Sequence, residues 1–118
     1  MTEIKNAVKT AVKALDEHIA DNIEILDIGN LTTISDYFII AGAGSKSQLD
    51  GLFDAVEESL EKIDFRPIRV EGANTEDWVL MDYGDFVIHL FSKQARDFYD
   101  LDRIWNDAPK IALDTILA

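Results

Sequence analysis

Trp78-Val79-Leu80-Met81-Asp82-Tyr83-Gly84-Asp85-Phe86-Val87-Ile88-His89-Leu90-Phe91-Ser92 is the stretch whose reading decides the fold. Two runs of aromatic, aliphatic and β-branched residues flank Tyr83-Gly84, the pattern of a hairpin with strands over Trp78–Asp82 and Asp85–Ser92. With Tyr83-Gly84 as the turn, Asp82 faces Asp85, Met81 faces Phe86, Leu80 faces Val87, Val79 faces Ile88 and Trp78 faces His89. A four-residue loop over Asp82–Asp85 preserves that register; a three-residue loop shifts it. Side chains alternate between the faces of a strand. One face therefore carries Val79, Met81, Phe86, Ile88 and Leu90, all apolar, and is expected beneath the helices. The other carries Trp78, Leu80, Asp82, Asp85, Val87, His89 and Phe91. Two carboxylates directly opposite each other repel unless they stand in water or meet a cation. Such a mixture predicts an open, partner-binding face with an aromatic anchor, an apolar floor and an acidic rim. The alternative is that a helix closes over Trp78 and leaves only the hairpin tip wet.

Working outward, Tyr37-Phe38-Ile39-Ile40-Ala41 is a continuous apolar run, as in a strand covered on both faces. Ile23–Ile28 reads as a strand closed by Gly29-Asn30. Residues 2–20 place Ile4, Val8, Ala11, Val12, Leu15 and Ile19 at helical spacing, with Lys5, Lys9 and Lys13 along another face. That basic stripe is expected to be solvated, contact with RNA being its alternative. Gly42-Ala43-Gly44-Ser45 turns into a second helix with Leu49, Leu52, Phe53, Val56, Leu60 and Ile63 inward, and Ser45 with Gln48 has capping-box spacing. Arg66–Glu71 is short and extended, so strand, helix and strand suggest a parallel crossover. The polar loop Gly72–Asp77 leads into the hairpin. Beyond it Phe98, Leu101 and Trp105 fall at i, i+3 and i+7 of a helix, and Asp107-Ala108-Pro109 can start a last short one. The expectation is a single α/β domain over residues 1–118: a mixed sheet of about five strands with helices mainly on one face.

Composition narrows the function. The 118 residues hold 23 acidic and 11 basic side chains, a net charge of -12. Phosphate binding needs clustered Lys and Arg, so little direct RNA contact and no anionic membrane surface are expected. A basic protein partner suits the charge instead. Without cysteine, disulfides, thiolate chemistry and Cys-based zinc sites are excluded, and two histidines exclude a His-rich metal site. Met1-Thr2-Glu3-Ile4-Lys5 lacks the layout of a signal peptide, so the expected compartment is the cytoplasm.

Enzyme readings find little support. Gly42-Ala43-Gly44-Ser45 could cradle a phosphate at a helix N-terminus, but it is neither G-x-G-x-x-G nor a P-loop. A nucleotidyltransferase needs paired carboxylates on the following strand to hold Mg²⁺, and Ile68-Arg69-Val70-Glu71 offers one acid. His89 is the one plausible base, yet only Ser92 or a distant serine could serve as its nucleophile. No catalytic residue, cofactor or metal is therefore expected, and His89 reads as a packed or hydrogen-bonded interface residue.

Glu71-Gly72, Asp77-Trp78, Met81-Asp82-Tyr83-Gly84-Asp85, Val87-Ile88-His89, then Arg96, Tyr99, Leu101 and Trp105, together resemble the ribosomal silencing factor (RsfS, Iojap-like) family. Ile34-Ser35-Asp36-Tyr37-Phe38-Ile39-Ile40-Ala41 and the Gly-Ser helix start fit as well, so the likeness spans roughly residues 4–107. The tail after Pro109 falls outside its clearest part. The resemblance implies a nucleotidyltransferase-like fold without transferase activity. It also implies binding to large-subunit ribosomal protein fourteen, a steric block to joining of the small subunit, and repression of translation when nutrients run short. A homodimer of the free protein is a further implication. Trp78, Leu80, Asp82, Asp85, His89, Phe91, Asp77 and Tyr99 are the expected partner-binding residues. The rival expectation is a small nucleotide-binding protein or transferase using Gly44-Ser45.

Overall fold

The computed structural model describes residues 2–33, 35–73 and 77–117. Ile34 and residues 74–76 of the loop before the hairpin, both part of the reading above, lie outside the described residues. The elements run α1 (Thr2–Glu17), β1 (Asp21–Asp27), β2 (Tyr37–Ala43), α2 (Lys46–Glu61), β3 (Arg69–Glu71), β4 (Trp78–Asp82), β5 (Phe86–Ser92), α3 (Lys93–Tyr99), α4 (Leu101–Ile104), β6 (Lys110–Ile111) and α5 (Leu113–Leu117). None of the described helices is long and apolar enough to cross a membrane.

The strands form one mixed sheet, ordered β3-β4-β5-β2-β1-β6. β2 lies near its middle, parallel to β5 and antiparallel to β1, with both faces buried as its unbroken apolar run requires. β4 pairs antiparallel with β5, and β3 with β4. The β2–α2–β3 crossover is thus parallel in direction, but it carries the chain over two strands to the sheet edge. The sixth strand corrects the expected count of about five. The Pro109 carbonyl accepts the Asp27 N–H (2.9 Å), Lys110 and Ile111 pair with β1, and the last helix starts at Leu113 instead of at Asp107.

Two apolar layers flank the sheet. On one face α1 and α2 bury Val8, Val12, Leu15, Leu49, Leu52, Val56 and Leu60 against Ile39, Val79, Met81, Phe86, Ile88 and Leu90, the hairpin face expected beneath helices. Leu113 and Ile116 of α5 pack at its margin. The second layer joins Leu26, Phe38, Ile40, Val87 and Phe91 to Ala95, Leu101 and Trp105, which α3, α4 and the turn after them supply. Helices thus occupy both faces, and the mixed face of the hairpin is partly roofed.

Three local features differ from their reading. Ile19, placed on the α1 stripe, is 78% exposed because the helix ends in a left-handed residue, Ile19 itself, at φ 59°. The hairpin turns at Gly84-Asp85, one residue later than Tyr83-Gly84: Tyr83 N–H donates to the Phe86 carbonyl (3.0 Å), and Gly84 takes φ 89°, as the first position of a type II′ turn demands. Trp78 consequently pairs with Phe91, Leu80 with His89, Met81 with Ile88 and Asp82 with Val87. The register moves by two residues, an even number, so each side chain keeps its face. Third, Asp100 at φ 48° separates α3 from α4. The i, i+3, i+7 stripe is broken there: Leu101 and Trp105 pack inward, whereas Phe98 is 81% exposed.

Candidate functional site

On the second face a chain of rings runs from the sheet to solvent. Trp105 meets Phe38 at 5.3 Å between centroids, Phe38 meets His89 at 4.6 Å, and Trp78 stacks on Phe91 at 5.0 Å. Tyr99 of α3 packs on Trp78 at 4.7 Å, and Phe98 stands edge-on to Tyr99 at 5.1 Å. Exposure rises outward along this chain: Phe91 1%, Tyr99 42% and Phe98 81%, with Trp78 and Leu80 half-buried between them. Trp78 also faces a shallow cavity of about 270 Å³, lined by Glu71, Gly72 and Leu80 as well.

α3 can roof this face because its start and its middle are held. Ser92 caps it, accepting the Ala95 N–H at 3.1 Å while its hydroxyl donates to Asp77 Oδ1 at 3.3 Å. Arg96, 8% exposed, donates to the carbonyls of Asp21 and Asn22 and pairs with Glu24 Oε2 at 3.5 Å. Gly42 lines the passage for that guanidinium, since a β-carbon there would stand 3.8 Å from Arg96 Nη1.

The expected partner-binding residues divide on this geometry. Trp78, Leu80 and Tyr99 share one surface, with Asp77 at the foot of α3. His89 (4% exposed) and Phe91 (1%) lie beneath it and support the surface from within. Trp78 Nε1–H donates to His89 Nδ1 at 3.1 Å, and burial lowers the imidazole from an ordinary pKa of 6.5 to about 4. Asp82 and Asp85 are not opposite each other. Asp82 Oδ1 accepts the Gly84 N–H at 2.8 Å and Oδ2 faces Arg69 Nη2 at 3.7 Å. Asp85 is exposed at the turn, at the far end of β4 from Trp78, roughly 13 Å or more at strand rise. The carboxylates near the aromatic surface are instead Asp77 and Glu71, both exposed.

Sequence reasoning missed Phe98 as a surface residue. The available signal was Asp100, a residue type that tolerates the left-handed region, sitting in the middle of an apparent helix. Lys5 and Lys13 are exposed on α1, on the opposite side of the sheet from Trp78, so that stripe and the aromatic surface cannot share one flat contact.

Chemistry finds no centre around these groups. Ser45 Oγ accepts the Gln48 N–H (3.0 Å) and Gln48 Oε1 accepts the N–H of Gly44, one residue before the cap (2.6 Å), so the helix start closes on itself in a variant of the capping box. Ser92, the candidate nucleophile, is a helix cap. Among the described residues no cluster of His, Asp and Glu is arranged to hold a metal ion.

The fold is a mixed α/β sheet protein whose distinctive surface is an aromatic patch on a half-roofed sheet. The family described as "Ribosomal silencing factor during starvation" matches residues 1–118, and the chain belongs to that family. It is 33% identical over 110 residues to the ribosomal silencing factor RsfS of Bacillus subtilis, covering 93% of each chain. A crystal structure of a Chromobacterium violaceum protein superposes with a TM-score of 0.84 at 31% identity, covering 87% of this chain and 86% of that one. A second, from Bacillus halodurans, gives 0.80 at 27% identity, covering 91% of this chain and 97% of the other.

Proposed function

We propose that this protein represses translation by binding the large ribosomal subunit through large-subunit ribosomal protein fourteen, where its body obstructs joining of the small subunit when nutrients are short. The observation that carries the reading is the outward aromatic set on α3 and β4: Phe98 at 81% exposure and Tyr99 at 42%, backed by half-buried Trp78. Aromatic anchors over an apolar floor, edged by charge, are the usual energetic centre of a protein interface. The net charge of -12 repels rRNA and favours a basic protein on an RNA-rich particle, so part of the selectivity comes from rejecting phosphate. The mechanism is steric and regulatory, it needs no cofactor, and a factor acting on ribosomes belongs in the cytoplasm.

Sedimentation tests the reading. The protein should travel with isolated large subunits and be absent from joined ribosomes. Trp78→Ala and Phe98→Ala should each weaken the association, Trp78→Ala by about 2 kcal/mol or more if it is the anchor. Phe98 is the cleaner probe, since its exposed ring contributes little to the fold. Wild-type binding by both folded variants would sink the proposed surface.

A further inference from the structure

We infer that His89, buried beneath the aromatic patch, is a positioning residue for the docking surface: its Nδ1 fixes the rotation of the Trp78 indole and so decides which edge of that ring a partner meets. This rests on the docking reading above.

An indole N–H is a donor only, so the 3.1 Å contact requires Nδ1 to be the acceptor and places the imidazole proton on Nε2. Nε2 is buried and has no hydrogen-bond partner among the described residues. An unmatched buried N–H is unfavourable, and an aliphatic side chain would fill the same space without it. The same replacement takes the acceptor from the half-buried Trp78 N–H, so the two effects offset and stability alone does not favour an imidazole at this position; what the imidazole adds is an acceptor with a fixed direction.

Direction is what the ring stacking lacks. Trp78 rests on Phe91 at 5.0 Å and 30°, and leans on Tyr99 at 4.7 Å. Stacking of this kind tolerates rotation about the ring's own bond, a torsion whose wells are broad. A hydrogen bond at one edge selects a single orientation. The imidazole can transmit that choice because it is held itself: Phe38 meets it at 70° and 4.6 Å, and Phe91 lies parallel to it at 8° and 6.2 Å. Its backbone is paired in the sheet with Leu80 on one side and Ile40 on the other. Rigid β4 and β5 thus set the indole before any partner arrives, and preorganisation of this sort lowers the ordering cost of binding.

Two variants of the full chain test it. In His89→Asn the carboxamide oxygen stands in for Nδ1, and in His89→Leu the volume is filled without an acceptor. Hydrogen exchange of the Trp78 indole N–H is read by NMR, with Trp105 assigned separately, alongside binding to isolated large subunits and the urea midpoint. His89→Leu should speed indole exchange and weaken binding, each by about tenfold, with the midpoint held near wild type. His89→Asn should restore both. Unchanged exchange or unchanged binding in His89→Leu, beside a wild type that binds, overturns the inference alone. So does a fall in binding that follows the midpoint in both variants, the mark of a merely structural residue. A wild type that fails to bind large subunits overturns the docking reading and this inference with it.

Discussion

Arg96 Nη2 lies 3.5 Å from Glu24 Oε2, which ties α3 to β1, on the far side of β2 from the β4–β5 hairpin that Tyr99 covers. The pair is 72 residues apart in sequence, and both side chains are largely withdrawn from water, at 9% and 20% exposure. Lys110 meets the other oxygen of the same carboxylate at 3.1 Å. The middle of α3 is thus clamped near β1 while its last residues present Tyr99 and Phe98.

Arg96→Met should remove that clamp and destabilise the fold by about 3 kcal/mol, the usual effect of breaking a buried pair from one side. Lys110 still neutralises Glu24, which keeps the loss near the lower end. Urea unfolding measures the loss; the same variant should bind large subunits less well, since Tyr99 loses its fixed place. A midpoint equal to wild type would show that α3 is held by apolar packing alone.

Stability should fall in acid through His89. Its folded pKa of about 4 lies below the ordinary 6.5 because burial penalises the charged ring. Between these values the unfolded chain binds more protons, so the neutral-state stability is complete above about pH 6.5 and is lost as pH drops towards 4. The full span is about 3 kcal/mol. Carboxylates titrate nearby, so the difference between wild type and His89→Asn at pH 7 and pH 4.5 isolates this contribution. An identical pH slope in the two proteins contradicts it.

Ile19→Gly should stabilise the protein by about 1 kcal/mol. Ile19 occupies the left-handed position after α1 at φ 59°, where a β-branched residue is strained and glycine is at ease. The Ala20 N–H reaches back to the Leu15 carbonyl (3.0 Å), so the position is a genuine helix terminus. Because the side chain is 78% exposed, little packing is lost. Thermal melting would show the gain as a rise of several degrees.

Gly84→Ala should act in the opposite sense, costing about 1–2 kcal/mol. The turn needs φ 89° there, and an added β-carbon would stand 3.1 Å from Ile68 Cδ1. Chemical denaturation checks the size, and a neutral result would mean that the hairpin adopts another turn.

Much of the second face was legible because a strand's two-residue period survives an error in its turn. Moving the turn from Tyr83-Gly84 to Gly84-Asp85 changed every cross-strand partner and left every face as assigned. Trp78 and Leu80 were therefore found together, with Tyr99 added only by the family resemblance, while the carboxylates tied to register were not: Asp82 serves the turn and Asp85 stands at its tip. Phe98 was misread because helical periodicity carries no signal for one left-handed residue at Asp100. β6 escaped notice since two residues show no period, and only pairing with β1 defines them as a strand.

What the sequence by itself determined is periodic or compositional: the amphipathic helices, the doubly buried β2, the two chemical faces of the hairpin, and the negative charge that disfavours phosphate. These follow from local repeats and from sums over side chains, neither of which depends on who the neighbours are. Only the tertiary structure decided that α3 roofs the mixed face, that His89 and Phe91 support a surface formed by Trp78, Tyr99 and Phe98, and that Arg96 reaches Glu24. Those are long-range contacts, fixed when distant segments bury apolar area together, and no repeat within either segment encodes which one it will meet.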